Sequence, residues 1–181
     1  MGPETEERGT GADADPARPS PGSLEDLYVR HAPDAIRLAY LLTSDGPLAE
    51  DLTQEAFIKV AGRFRHLRDA NAFDAYLRRT VVNLCMSHHR RRRVERDYLS
   101  REVGRAPTAL EPPDIGARDE LRTALATLPM RQRAAVVLRY YQDLPEQEVA
   151  QALGCSVTAA RSLVFRAMET LRTQISRGDD A

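Results

Sequence analysis

Apolar residues in this chain recur every three or four positions, and nowhere do they alternate one by one. A repeat near 3.6 marks helix and a repeat of two marks strand, so the fold class reads as all-α. Two stretches rich in proline and glycine, 1–22 and 99–117, interrupt the pattern. The periodic residues therefore fall into two blocks, 23–98 and 118–177, with an acidic tail at 178–181. The sequence predicts two small helical domains joined by a flexible linker.

The interruptions have a physical meaning. Residues 1–22 carry four Pro, four Gly and five acids against two Arg, with no apolar period. Such a segment buries too little apolar surface to offset its ordering entropy and is expected to be disordered. Residues 99–117 include Pro107, Pro112, Pro113, Gly104 and Gly116 and read as a partly extended linker. No run approaches the ~18 apolar residues of a membrane helix. The N-terminus also lacks a charged-then-apolar leader, so no membrane insertion and a cytoplasmic location are expected.

Charge is informative only when divided along the chain. The net value is −1, yet residues 63–96 hold ten Arg against Asp69, Asp74 and Glu95. A concentrated arginine stretch in a near-neutral protein points to an anionic partner such as nucleic acid.

In the first block, Ser23 with Asp26 forms a helix start and Leu24, Leu27 and Tyr28 open an apolar face. Pro33 is expected to break or restart that helix before Ile36 to Leu42 continue it. Asp45-Gly46-Pro47 reads as a turn leading into a helix over 47–64, with Leu48, Leu52, Ala56, Phe57, Val60, Ala61 and Phe64 inward. Its other face carries Asp51, Gln54, Glu55 and Ile58. An isoleucine among acids, off the core stripe, suits a contact patch for a protein partner. Asn71 is expected to cap a third helix running to about Arg96, with Phe73, Tyr76, Leu77, Thr80, Val81, Leu84, Cys85 and His88 on one face. Arg79, Asn83, Met86, Arg90 and Arg93 form a stripe on another face.

In the second block, helices are expected at 118–127 and 131–141, and Asp143-Leu144-Pro145 opens a short one. The segment 146–165 has the pattern of a helix-turn-helix: small Ala150 where two helices cross, Gly154 in the turn, and Val149, Leu153, Cys155, Ala160 and Leu163 at core positions. Ser156 is the expected cap of the second helix, with Thr158 as rival. That helix exposes Thr158, Ala159, Arg161, Ser162 and Arg166, residue types suited to a major groove.

Chemistry is sparse. Cys85 and Cys155 make neither a disulfide framework nor a metal-finger spacing. Cys85, His88 and His89 do not converge on one helix face, and no Gly-rich phosphate loop or nucleophile elbow occurs. No metal, no cofactor and no catalytic residue is expected, and the chain does not read as an enzyme.

The stretches AEDLTQEAFIKV, AFDAYLRRTVVNLCMSHHRRRR and LRTALATLPMRQRAAVVLRYYQDLPEQEVAQALGCSVTAARSLVFRAMETLR resemble the extracytoplasmic-function group of sigma-70 family RNA polymerase sigma factors. The resemblance covers about 23–98 and 118–175. It implies that Asp51, Gln54, Glu55 and Ile58 face the clamp helices of the largest polymerase subunit. It implies that Arg79, Asn83, Arg90 and Arg93 read and open the minus-ten element, with Asn83 near the pocket for an extruded base. Thr158, Arg161, Ser162 and Arg166 would contact the minus-thirty-five element. Further implied partners are the flap of the second-largest subunit and an anti-sigma factor wedged between the blocks. The implied location is the cytoplasm, at the nucleoid when in holoenzyme.

The sequence also departs from that pattern: Tyr76 stands where the family usually has Trp, Ser87 where it has Asp, and Leu163 where Arg is common. The competing reading is an autonomous helix-turn-helix regulator, with 118–177 as its DNA module and 23–98 as a dimerisation or sensor bundle.

Overall fold

The computed structural model describes residues 23–62, 70–103 and 116–178, with side chains described over 23–62, 72–98 and 120–174. The expectations for 1–22, for most of the linker, for the acidic tail beyond 178 and for Phe64 lie outside the described residues. Among the described residues there are seven α-helices and no strand. They are α1 (Leu24–Thr43), α2 (Gly46–Ala61), α3 (Ala70–Val103), α4 (Gly116–Thr127), α5 (Met130–Val136), α6 (Glu146–Leu153) and α7 (Val157–Gly178).

Local chemistry sets several boundaries. Ser23 Oγ accepts from the Asp26 amide at 3.1 Å, capping α1. Asp45 does the same for α2 through the Leu48 amide at 3.1 Å, with Pro47 in the first turn, where its missing N–H costs nothing. Pro33, expected to break the helix, instead lies inside a continuous α1. An interior proline costs about 3 kcal/mol. The surrounding turns bury Leu27, Leu38 and Leu42, each worth about 1.5–3 kcal/mol. The carbonyl that Pro33 leaves without a helical donor belongs to Val29, which is exposed, so water can serve it.

The third helix is longer than expected. It starts at Ala70, so Asn71 is its second residue rather than its cap, and it runs on to Val103. Its 34 residues make a rod of ~51 Å. Its first half packs against α1 and α2 through Phe73, Leu77, Val81 and Cys85. Phe57 joins this core, edge-on to Tyr28 at 4.8 Å and tilted against Phe73 at 6.1 Å.

In the second block, the stretch expected as one helix over 131–141 divides. Met130–Val136 is α-helical, and Val137–Tyr141 widens into a π-helical turn. Asp143 then takes a left-handed φ of 49° before α6. At the elbow between α6 and α7, Gly154 has φ +59°. That backbone region is open to glycine and strained for most other residues. Ala150, Val149, Leu153 and Ala160 are buried beneath the elbow, with Cys155 and Leu163 partly buried beside them. Ser156 Oγ accepts from the Ala159 amide at 3.2 Å, so Ser156 and not Thr158 caps α7.

The two blocks pack on each other. α3 lies against α6 and α5, and α1 lies against α4 and α5.

Candidate nucleic-acid interface

Three helices carry the residues singled out from the sequence. On α2, Asp51, Gln54, Glu55 and Ile58 are all exposed, while Leu52, Thr53, Ala56, Phe57 and Val60 point inward. Ile58 is 73% exposed. Glu55 pairs with Lys59 at 2.7 Å.

On α3, Arg79, Asn83, Arg90 and Arg93 are exposed, on the side away from buried Leu77, Val81 and Cys85. Met86, in the same stripe, is partly buried against the core. Val82 is also fully buried, although the apolar face expected on this helix omitted it. α3 is packed by helices of both blocks, so its buried arc is wider than one stripe. Arg93 keeps a loose ion pair with Asp97 at 3.9 Å, and both side chains are exposed.

On α7, Thr158, Arg161, Ser162 and Arg166 are exposed. Thr158, Ser162 and Arg166 follow one row at i, i+4 and i+8. The Ser162 hydroxyl donates to the Thr158 carbonyl at 3.0 Å, leaving its lone pairs outward. Arg161 begins the neighbouring row with Phe165 and Arg172. Its guanidinium bonds the Glu146 carboxylate at the start of α6. Sequence reasoning missed this pair, since Glu146 lies 15 positions away and only the elbow brings it near. Both side chains are exposed, so the pair is worth about 0–1 kcal/mol and is cheap to release for another anion.

The contacts between blocks were equally invisible in the sequence. Arg133 of α5 is 7% exposed. Its Nη1 donates to the Leu42 carbonyl of α1 at 2.7 Å and its Nη2 to the Ala126 carbonyl of α4 at 2.6 Å. Leu42 and Ala126 each lie in the last turn of their helix. There the free carbonyls and the negative end of the helix dipole favour a cation. Burial lowers the Arg133 pKa, yet a guanidinium stays charged in any protein setting. Arg78, mostly covered, reaches Glu148 of α6 at 3.9 Å as well as Asp74 of its own helix. Arg37 of α1 lies near Tyr141 of the second block, whose hydroxyl raises the Arg37 pKa. Between α3 and α6 lies a cleft of about 600 Å³ lined by Tyr76, Arg79 and Gln151.

Cys85 is buried, and burial pushes its thiol up to about 12, so it stays neutral. No group of three His, Cys, Asp or Glu side chains among the described residues is arranged to hold a metal ion. No described helix is long and apolar enough to cross a membrane.

With this geometry in view, comparison with known proteins is specific. Residues 27–95 match Sigma-70 region 2, and residues 118–171 match Sigma-70, region 4. The RNA polymerase sigma-E factor of Streptomyces coelicolor is 33% identical over 153 residues, covering 84% of this chain and 86% of that protein. The ECF RNA polymerase sigma factor SigE of Mycolicibacterium smegmatis is 34% identical over 165 residues, covering 86% of this chain and 62% of its own length. Among solved structures, the sigma factor RpoE in complex with the anti-sigma factor NepR from Bartonella quintana has a similar fold. Its TM-score is 0.67 at 24% identity, covering 84% of this chain and 96% of that one. Two helical blocks, matched in order to regions 2 and 4 and supported by these relatives, show that the chain belongs to the extracytoplasmic-function group of sigma-70 family RNA polymerase sigma factors.

Proposed function

We propose that the chain is a dissociable initiation subunit that binds core RNA polymerase, carries it to specific promoters and opens the duplex there. Both blocks match sigma regions, which favours this reading over an autonomous regulator whose first block would only dimerise or sense. Reaction chemistry then belongs to the polymerase, and this chain supplies binding energy and specificity. It works in the cytoplasm, at the nucleoid when in holoenzyme. Its domains are 23–98 and 118–177, joined through the 99–117 segment.

The roles divide among three helices. Asp51, Gln54, Glu55 and Ile58 bind the clamp helices of the largest subunit, and the second block meets the flap of the second-largest. Arg79, Arg90 and Arg93 hold backbone phosphates around the minus-ten element. Asn83 captures a base after it leaves the stack, its amide both donating and accepting. Thr158, Arg161 and Ser162 face the major groove of the minus-thirty-five element, and Arg166 reaches phosphate. An anti-sigma factor, as NepR is for the Bartonella protein, would hold the chain inactive.

The observation that carries this reading is Ile58, 73% exposed on a face that is otherwise polar. A large aliphatic side chain at the centre of a charged surface is what a protein interface core uses. The test is reconstitution. The purified chain should bind core polymerase and direct initiation from discrete promoters. The Asn83→Ala variant should bind polymerase normally yet open duplex promoters slowly. Failure of the wild-type chain to bind core polymerase would remove the proposal.

A further inference from the structure

Where the two blocks meet, a cavity of about 350 Å³ is lined by the α1–α2 turn, α3, α4 and α5. That volume lies at the small end of ligand pockets, which run from about 300 to 1,000 Å³. Its polar lining is unbalanced: Arg92, Arg96, His88 and His89 come from α3 and Arg133 from α5, against one carboxylate, Asp45. Asp45 is already engaged in capping α2. Cys85, also on the wall, is a neutral thiol and offsets nothing.

Three buried polar atoms on this wall, Ser44 Oγ, His88 Nε2 and Arg133 Nε, have no hydrogen-bond partner among the described residues. Arg133 uses Nη1 and Nη2 on helix-end carbonyls, but its Nε is buried with no hydrogen-bond partner among the described residues. His88 Nε2 is likewise buried and unpartnered among them. A buried polar nitrogen without a partner costs free energy; an anion would relieve Arg133 Nε, which always carries its proton, and would relieve His88 Nε2 in the form protonated at that nitrogen. Arg92 and Arg96 stand one helical turn apart on α3 with exposed side chains, both on the cavity wall, and Arg96 Nε donates to the Arg92 carbonyl at 3.3 Å. The crowding of positive charge registers on His89. Its pKa is lowered by burial first and then by Arg133, Arg96, Arg93 and His88.

We infer that the crevice between the blocks is a binding site for a small phosphate-bearing anion, held by Arg92, Arg96, Arg133 and His88. Arginine suits phosphate because its planar fork gives two parallel charge-assisted bonds. The site has walls from both blocks, so an anion bound there bridges them and favours the packed arrangement over a separated one. A ligand that binds one arrangement better shifts the population toward it.

The test uses pyrophosphate as probe, in low salt, followed by isothermal titration calorimetry on the full chain. One saturable site is expected, and the Arg92→Gln/Arg96→Gln variant should weaken it by about thirtyfold or more, since bonds to charged groups are the stronger class. The Arg30→Gln/Lys59→Gln variant removes the same charge from exposed positions outside the crevice and should change affinity by less than about threefold, the scale of screened surface charge. Histidine titration by NMR adds a second readout. Bound pyrophosphate should raise the His89 pKa, because its negative charge opposes the lowering by Arg133, Arg96, Arg93 and His88; Asp45 lines the same cavity in both states. The inference is overturned by the absence of saturable binding. It is also overturned if the arginine variant binds as tightly as wild type, or if single-stranded DNA occupies the site and pyrophosphate does not displace it.

Discussion

Replacing Arg133 by Met tests whether a buried guanidinium without a carboxylate stabilises this fold. The side chain makes two short bonds, 2.7 Å to Leu42 O and 2.6 Å to Ala126 O, and a long one of 3.4 Å to Leu128 O. Bonds to a charged group contribute about 1.5–3 kcal/mol each, so the two short ones contribute roughly 3–6 kcal/mol gross. Against this stands the cost of burying the charge, several kcal/mol per ion. Met fills a similar length and removes that cost, but it leaves the carbonyl ends of α1 and α4 without their donor. Each such loss costs about 1–3 kcal/mol. The balance is a net destabilisation of about 2–4 kcal/mol. Urea unfolding followed by far-ultraviolet circular dichroism should show a lower midpoint. Arg133→Lys should fall between, because one compact ammonium cannot match two carbonyls as a planar fork does. A Met variant that unfolds at or above the wild-type midpoint would refute the reasoning, since it would mean the charge costs more than its bonds return.

Three further outcomes follow from exposed or strained positions. Ile58→Arg combined with Glu55→Arg should keep helicity, both sites being exposed, while weakening core polymerase binding by tenfold or more, on the order of 1.4 kcal/mol, in a fluorescence titration. Arg161→Ala should cost about 1–3 kcal/mol of promoter discrimination in competition binding; a neutral result on every promoter tested would mean that Arg161 is held by Glu146 and reads no base. At Gly154, an added Cβ meets nothing within 4 Å but the φ is +59°, so Gly154→Ala should lower stability by about 1–2 kcal/mol, from backbone strain alone. A thermal unfolding series checks it.

What could be read from the sequence was local. The Ser23 cap, the turn into α2 at Asp45-Gly46-Pro47 and the glycine elbow at 154 depend on residues within four positions of one another, and all three are found, with Asp45 serving in addition as the cap of α2. The twelve residues assigned to polymerase and promoter were read from periodicity and resemblance together, and all twelve lie on exposed faces. Failures came where distant packing decides. Pro33 is a breaker by propensity, but the buried face of α1 carries the helix through it. Val82 and Thr53 lie off the expected stripes and are fully buried, because their helices are covered over wider arcs than one stripe. Arg133 sits in MRQRAAV, where nothing distinguishes it from a surface arginine. One of its two close acceptors, Leu42 O, is 91 positions away, so its full burial exists only once the two blocks meet.

That meeting has a consequence for initiation on the proposed reading. The minus-ten and minus-thirty-five elements are about 25 base pairs apart, or ~85 Å of duplex at 3.4 Å per step. Here α6, the first helix of the DNA-reading elbow, packs directly on α3, and Arg79 lines the cleft between them. Two blocks in contact cannot reach both elements at once. The stretch 104–115 between α3 and α4 can extend to at most ~43 Å, the part of α3 from Arg79 to Val103 adds ~36 Å, and the body of the second block supplies the remainder. Separation must break Arg133–Leu42 and Arg78–Glu148 and part Arg37 from Tyr141. The last two lie toward the surface and are weak, so the Arg133 bond and the apolar contacts around it are the main resistance. Binding to core polymerase should supply the difference. Dyes at Asp34→Cys and Glu169→Cys, both exposed, in a Cys155→Ser background report the distance between α1 and α7, with buried Cys85 left unreactive. Energy transfer should fall on adding core polymerase, by a lengthening of about 20 Å or more within the linker's reach. Arg133→Met should lower the transfer even without polymerase. If transfer stays unchanged when polymerase is bound, the packed arrangement is the working one, and α3 and α7 do not read two separate elements.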